Sequence, residues 1–185
     1  MPKIVGGLAR GRHIKSPACG VRPATARARK ALFDHLAAFT PGARVLDLYC
    51  GSGGLGLEAL SRGAAEAWFV DASPRALSIA EENAERLGLD SQTHFAKRDV
   101  MSFLKHFSDY ETSPFDLVFA APPYKIANPA RILEAAANSR ALAKGAAMCL
   151  EYPRHTAAPQ HPGFTLDRRR IYGETVIEVW DYKTD

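Results

Sequence analysis

Short runs of apolar residues alternate along the chain with segments in which apolar residues recur every three or four positions. The runs are rich in β-branched and aromatic residues, as buried strands are, and the longer spacing is typical of helices that pack one face on a sheet. The last segment alternates apolar and polar residues on both sides of Gly173, which predicts an antiparallel hairpin. Strands are predicted over residues 45–49, 66–70, 93–96, 115–120, 146–152, 166–171 and 175–182.

Helices are predicted before the first strand and between successive strands up to the fifth. The first begins at Pro23, since proline suits the first turn of a helix, and it ends at the turn 40–42. Its inward face is predicted to hold Leu32, Phe33, Leu36 and Phe39. Its outer face is predicted to leave exposed Arg22, Arg29 and Lys30. The later helices are predicted up to Leu60 and over residues 74–87, 101–107 and 129–143.

Repeated strand–helix units that close with a hairpin predict an α/β fold, a mostly parallel sheet with helices on both faces and an antiparallel C-terminal hairpin. Ligands of such sheets bind beyond the carboxyl ends of the parallel strands. Four segments are predicted to meet there, at residues 47–56, Asp71, Asp99 and residues 121–124. The candidate site is therefore one edge of the sheet.

The chain has 185 residues, which suits a single domain made of an N-terminal arm and helix (1–40) and an α/β core (41–185). No apolar run approaches the ~20 residues of a membrane helix and no signal-peptide core is present, so a cytoplasmic protein is expected. The three cysteines are far apart and form no CxxC pair. Neither a disulfide framework nor a metal site is expected, and no apolar face demands a partner copy, so a monomer is expected.

Charge is segregated along the chain. Residues 1–44 contain nine Lys or Arg and one acid, a net +8, while the remaining 15 bases and 19 acids give −4, which together make the net +4. A basic, extended or hairpin-like arm on a mildly acidic body predicts contact with a polyanion, and nucleic acid is favoured over a merely solvated charge run.

The glycine cluster after the first strand allows two kinds of nucleotide ligand. Gly51, Gly53 and Gly56 have the G-x-G-x-x-G spacing, and Asp71 follows Gly51 by 20 residues, as in NAD-binding proteins. Asp47, inside the strand, would crowd a pyrophosphate but could meet an ammonium group. Asp99 could position an adenine amine. These acids favour adenosine with an amino-acid tail, and an NAD-dependent oxidoreductase stays the weaker alternative.

Here the chain resembles a known family. The segment from Asp47 to Gly53 resembles the first motif of class I S-adenosylmethionine methyltransferases, which have a three-layer Rossmann-like fold built on a mostly parallel sheet. Asp71 matches that family's ribose-binding acid, and Asp99 matches its adenine-side acid. Residues 121–124 resemble the (Asp/Asn)-Pro-Pro-(Tyr/Phe) motif of enzymes that methylate exocyclic base amines.

A narrower resemblance covers nearly the whole chain. Residues 4–7, 10–12, 22–29, 32–33 and 57–61 resemble the bacterial 16S rRNA guanine-N2 methyltransferases that modify guanine 966 of the small ribosomal subunit. The resemblance implies transfer of a methyl group from S-adenosylmethionine to a guanine N2 amine, with 16S rRNA or the small subunit as partner. It is specific because the N-terminal and glycine-loop motifs occur together.

The resemblance also implies the roles of site residues. The cofactor would be bound by Asp47, Tyr49, Cys50, Gly51, Ser52, Gly53, Asp71, Ala72, Asp99 and Val100. The target base would be met by Ala121, Pro122, Pro123 and Tyr124, with the Pro122 carbonyl facing the amine and the Tyr124 ring stacked on the base. RNA phosphates would be bound by Arg10, Arg12, Arg22, Arg27 and Arg29.

One position departs from the family pattern. Ala121 stands where the family has Asp or Asn, whose side chain accepts a hydrogen bond from the target amine. Loss of one such acceptor costs roughly 2–4 kcal/mol of transition-state stabilisation in comparable cases. An RNA-binding descendant with impaired catalysis is therefore a second hypothesis.

Overall fold

The computed structural model describes residues 2–16, 25–110 and 112–183. Its strands are β1 (Arg44–Leu48), β2 (Glu66–Asp71), β3 (Thr93–Lys97), β4 (Phe115–Ala120), β5 (Leu142–Pro153), β6 (Phe164–Tyr172) and β7 (Thr175–Tyr182). Its α-helices are α1 (Ala26–His35), α2 (Gly54–Ser61), α3 (Pro74–Leu87), α4 (Val100–Lys105) and α5 (Pro129–Asn138). Short 3₁₀ turns follow α3, α4 and β4.

The strands form one sheet in the order β3-β2-β1-β4-β5-β7-β6. The first five run parallel, and β7 lies antiparallel between β5 and β6. The predicted mostly parallel sheet with a C-terminal hairpin is confirmed. From β1 the chain first builds β2 and β3 on one side of it and then β4 and β5 on the other, so a crevice opens beyond the carboxyl end of β1.

Alternate residues of the central strands pack against helices on opposite faces of the sheet. Val45 packs with residues of α1, α2 and α3 in one buried cluster. Leu46 and Leu48 pack with residues of α4 and α5 in the other. Both faces of β1 are buried, which is why Asp47 is the one polar residue between Val45 and Leu48.

Residues 2–16 form a hairpin-like arm, as predicted. Lys3 and His13 form an antiparallel bridge, and the Ile4 N–H donates to the Arg12 carbonyl at 2.9 Å. Ile4 and Ile14 are almost fully buried in the same cluster as α1 and α2. The arm is therefore packed on the body.

The first helix differs from its prediction. It begins at Ala26, where the Thr25 side chain accepts from the Ala28 N–H at 3.2 Å, while the predicted start at Pro23 lies outside the described residues. The prediction that Phe39 packs inward was wrong, since its exposed fraction is 46%. The helix ends at His35, so Phe39 falls out of helical phase, and Thr40 is buried in its stead.

The fifth helix is shorter than predicted, and the strand after it is longer. The alanine-rich run to residue 143 favours a helix by composition. The Ser139 hydroxyl donates to the Ala136 carbonyl at 2.7 Å and accepts from the Ala141 N–H at 3.0 Å, and Arg140 has a φ of 60°. This side-chain bonding ends α5 at Asn138 and lets β5 begin at Leu142.

Candidate cofactor and target-base site

The loop between β1 and α2 turns tightly toward the crevice. Tyr49, Gly51 and Gly53 have φ values of 56°, 54° and 78°. Gly53 is the N-terminal cap of α2, and its N–H donates to the Cys50 carbonyl at 2.8 Å. Left-handed backbone is accessible to glycine at little cost, so this sequence brings main-chain atoms close to a ligand without side chains intervening.

Asp47 lies beneath this loop. Its Oδ2 accepts from the Gly56 N–H at 2.8 Å, and its exposed fraction is 1%. Burial raises the pKa of Asp47 to about 8, the Gly56 N–H opposes that rise, and the charge of Asp71 adds to it. A cationic group in the crevice would pair with this carboxylate and favour its ionised form. Gly56 is required because a Cβ there would overlap the Phe69 ring.

Asp71 ends β2 and holds two backbone segments together. Its Oδ2 accepts from the Gly51 N–H at 3.0 Å, and its Oδ1 accepts from the Ser73 N–H at 2.8 Å. A carboxylate has about four acceptor positions, so capacity for a ligand hydroxyl remains. Asp71 thus shapes the loop and also lines the crevice.

Asp99 follows β3 and caps α4, where its Oδ1 accepts from the Ser102 N–H at 2.9 Å. It is exposed at the rim of the crevice, and the next residue, Val100, is buried beside it. The capping role and the ligand-facing position therefore coexist at this residue.

The crevice is a cavity of about 430 Å³, within the range of small-molecule sites. Of the predicted cofactor residues, Gly53 alone is not in its lining; it is buried against Ala80 and Phe69. The lining residues among those predicted for the cofactor and the target base are Asp47, Tyr49, Cys50, Gly51, Ser52, Asp71, Ala72, Asp99, Val100, Ala121, Pro122, Pro123 and Tyr124.

The turn after β4 forms the opposite wall. The Ala121 N–H lies 3.5 Å from the Leu48 carbonyl, which places this turn directly beside the glycine loop. Pro122 is buried, whereas the Tyr124 side chain is 43% exposed and its hydroxyl is hydrogen-bonded to Thr175 of β7. An aromatic face at the mouth of the cavity is suited to a flat ring that enters from solvent.

Glu151 of β5 is a cavity residue that the sequence prediction omitted. Ala120 of β4 pairs with Leu150, so Glu151 comes beside Ala121. Burial raises the pKa of Glu151 to about 7. The prediction placed residue 151 within a strand running to 152, and the structure also has it inside β5, so its place at the cavity follows only from the register with β4.

The predicted RNA-binding arginines differ in their surroundings. Arg10 and Arg27 are exposed, and Arg22 lies outside the described residues. Arg12 is exposed but donates to the last carbonyls of α3, those of Arg86 and Leu87, the latter at 2.9 Å. Two of the five therefore present side chains to solvent without a described partner in the arm or helix.

Arg29 was predicted to stay exposed, and this was wrong, because its exposed fraction is 4%. Its Nη2 donates to the Lys3 carbonyl at 2.7 Å, and its Nε lies 3.9 Å from Glu58. Burial lowers the pKa of Arg29, and Glu58 opposes the change. Arg29 joins the arm to α2 and also lines the cavity.

Asn83 of α3 links the arm to the glycine loop. Its Nδ2 donates to the carbonyls of Lys15 and Ser52, both at 3.0 Å, and its Oδ1 accepts from the Lys15 N–H at 2.7 Å. The side chain is fully buried. One amide therefore holds the end of the described arm and the cofactor-side loop in a fixed relation.

Two further findings bear on the chemistry. Among the residues that the structure describes, no three His, Cys, Asp or Glu side chains are grouped to hold a metal ion. Burial raises the pKa of the Cys50 thiol well above its ordinary value, and Asp47 and Asp71 add to that shift, so Cys50 is protonated at neutral pH.

No helix of the described ranges combines the length and apolar character that crossing a bilayer requires.

The chain is similar to proteins of known sequence and structure over nearly all its length. The profile of a family described as "Conserved hypothetical protein 95" matches residues 2–181. The Ribosomal RNA small subunit methyltransferase D of Escherichia coli is 30% identical over 180 residues, which cover 96% of this chain and 88% of that protein. A protein of the same name from Buchnera aphidicola is 25% identical over 91% of this chain and 86% of its own. The solved structure of a Thermus thermophilus hypothetical protein is 34% identical, covers 100% of both chains and has a TM-score of 0.83.

Proposed function

The chain belongs to the Conserved hypothetical protein 95 family, and from that premise we propose that it transfers a methyl group from S-adenosylmethionine to the exocyclic N2 amine of a guanine in small-subunit (16S) rRNA. The Escherichia coli relative that carries the name of a small-subunit rRNA methyltransferase supports this proposal. The observation that carries it is that the glycine loop, Asp47, Asp71, Asp99 and the Pro-Pro-Tyr turn meet in one cavity.

The residues of the cavity fit S-adenosylmethionine. Asp47 is a buried carboxylate that an ammonium would stabilise, and Asp71 keeps acceptor capacity for ribose hydroxyls. Asp99 at the rim supplies an acceptor for an adenine amine, and Val100 supplies an apolar contact for the ring. When bound, the cofactor supplies an electrophilic methyl group on a sulfonium centre.

The chain's part in the reaction is to position the base and exclude water. Tyr124 offers its ring to an unstacked guanine at the cavity mouth, and the Pro122 carbonyl offers an acceptor to the amine. A fixed near-attack geometry of this kind contributes much of the acceleration in displacement reactions. A base must leave its stack to reach such a site, which suits an RNA loop or bulge.

The surroundings of the site support an RNA substrate. The exposed Arg10 and Arg27 belong to the segment with a net +8 charge. We further propose that the protein acts as a monomeric single domain in the cytoplasm, where small subunits are assembled, and without a metal ion.

Labelled methyl transfer to small subunits that lack the modification tests the proposal. We expect transfer by the native chain to one guanine, located by digestion and mass analysis of the rRNA. Calorimetry with S-adenosylhomocysteine and with NADH is the companion measurement. Binding of NADH without binding of S-adenosylhomocysteine would refute the assigned cofactor.

Comparison with an Ala121→Asp variant tests the second hypothesis, an RNA-binding protein with impaired catalysis. We expect the native chain to transfer methyl groups at a rate comparable to that of the variant. Transfer by the Asp variant alone would favour the impaired protein, and transfer by neither would show that the substrate is wrongly assigned.

A further inference from the structure

The acids of the cavity differ in how much of their hydrogen-bonding capacity the protein already uses. Asp47 accepts from the Gly56 N–H, Asp71 accepts from two backbone N–H groups, and Asp99 accepts from the Ser102 N–H. Glu151 makes no hydrogen bond or ion pair with any residue that the structure describes, and burial alone accounts for its raised pKa. Glu151 therefore lines the cavity with acceptor positions that the described part of the protein does not use, and these are available to a ligand.

The location of Glu151 indicates which ligand group it could accept from. The register of β4 and β5 sets it beside Ala121, and it lines the cavity together with Pro122 and Tyr124. The methyl group of Ala121 adds no side-chain acceptor to this wall, where the proposed function assigns only the Pro122 carbonyl to the target amine. Glu151 is thus the carboxylate next to the place where the target base would enter.

We propose that Glu151 is a catalytic residue that accepts a hydrogen bond from the guanine N2 amine and then takes its proton. The inference rests on the proposed function. In the step, the amine nitrogen forms a bond to the methyl carbon while the carbon–sulfur bond breaks and its electron pair stays on sulfur. The nitrogen, now positively charged, gives one proton to the Glu151 carboxylate, which leaves N2-methylguanine and neutral S-adenosylhomocysteine.

Inosine provides a binding test that does not depend on turnover, because it lacks the 2-amino group of guanosine. Small subunits are assembled with a 16S rRNA that carries guanosine or inosine at the modified position, and their affinity is measured with S-adenosylhomocysteine present. We expect the native chain to prefer guanosine about tenfold, as a hydrogen bond to a charged group implies. We expect Glu151→Ala to lose most of this preference, since only the neutral Pro122 carbonyl remains as acceptor, while it binds S-adenosylhomocysteine normally.

Kinetic variants separate the acceptor from the base. Glu151→Gln keeps an acceptor oxygen but cannot take a proton, so it should retain part of the preference for guanosine and lose most single-turnover transfer. Ala121→Asp in the Glu151→Ala background should restore both, because it places a carboxylate on the adjacent strand. Glu134→Gln, on the exposed side of α5, is the matched control and should behave as the native chain does.

The outcomes distinguish the two proposals. If the native chain transfers methyl groups and prefers guanosine while Glu151→Ala does the same, Glu151 is not the acceptor and the proposed function stands. If Glu151→Ala fails to bind S-adenosylhomocysteine, the decision passes to Glu151→Gln, and native-rate transfer by that variant overturns the proton step. If the native chain neither transfers nor discriminates, the proposed function fails and this inference fails with it.

Discussion

At the scale of single residues, Asp47 is the position whose ligand-binding role the sequence indicates most clearly. An acid inside an apolar strand is unusual because its charged form is expensive to bury. The structure adds what the sequence does not contain, namely that Gly56 donates to it and that its pKa rises to about 8. The site residues that follow a strand were predictable because ligands bind beyond the carboxyl ends of parallel strands. Glu151 could be placed only from the register between β4 and β5.

We expect ionisation of Asp47 to make the free energy of unfolding depend on pH. Its pKa is about 8 in the folded chain against the model-peptide value of 3.8, so its contribution is fully present below about pH 4 and is lost as pH rises toward 8. Glu151 acts in the same direction up to about pH 7. We expect the free energy of unfolding to fall by on the order of a few kcal/mol between pH 5 and pH 8.

Urea denaturation of an Asp47→Asn variant at both pH values measures this. Asparagine can still accept from the Gly56 N–H but does not ionise, so the variant should lose a large part of the decline and exceed the native chain in stability at pH 8. The control is Glu81→Gln, an exposed acid of α3. An unchanged decline in the Asn variant would contradict the pKa assigned to Asp47.

Asp71 should be as important to the shape of the loop as to the ligand. Asp71→Ala removes the acceptor of the Gly51 and Ser73 N–H groups, and hydrogen bonds to a charged group contribute ~1.5–3 kcal/mol each. We expect calorimetry to show at least a tenfold loss of S-adenosylhomocysteine affinity, with a lower melting temperature of the free protein. Equal affinity in the variant would remove Asp71 from the cofactor site.

At the scale of elements, the arm shows why patterning predicts some features and misses others. Its hairpin-like form followed from the sequence, but the polar contacts that dock it on α2 join residues about fifty positions apart. Val5 N–H donates to Glu58 at 2.8 Å, and Ser61 accepts from the Ala9 N–H at 2.9 Å. Arg29 is buried by the same docking, and no local spacing signals that.

Removing the Ser61 hydroxyl should loosen the arm. Ser61 also donates to the Gly6 carbonyl at 2.6 Å, so Ser61→Ala leaves a buried N–H and a carbonyl without partners. We expect a loss of about 1–3 kcal/mol in unfolding free energy and faster amide exchange in residues 2–16. Ser78→Ala, at an exposed position of α3, is the control. Unchanged exchange in the arm would show that these bonds do not hold it.

At the scale of the whole molecule, charge and topology place the basic arm and the cavity on one side. The arm contacts α2, and α2 starts at the glycine loop, so the basic segment borders the cavity. The sequence predicted the charge asymmetry, but it could not divide the arginines into those that hold the fold and those that face solvent. Arg12 and Arg29 belong to the first group, and Arg10 and Arg27 to the second.

This division predicts a salt effect on RNA binding. Each lost phosphate contact lowers the slope of log affinity against log salt by about 0.7–0.9. The double variant Arg10→Gln/Arg27→Gln should therefore reduce the slope by up to about two while cofactor binding is unchanged. Lys144→Gln, an exposed base near the start of β5 at the opposite edge of the sheet, is the control. An unaltered slope in the double variant would place the RNA elsewhere.

The buried amide of Asn83 has a consequence for the order in which ligands bind. It joins the backbone at Lys15 to the backbone at Ser52, so a ligand that shifts one shifts the restraint on the other. If a bound cofactor changes the affinity for RNA that the arm is proposed to bind, RNA must change the affinity for the cofactor by the same factor. We therefore expect the two proposed ligands to act as heterotropic effectors of each other through Asn83.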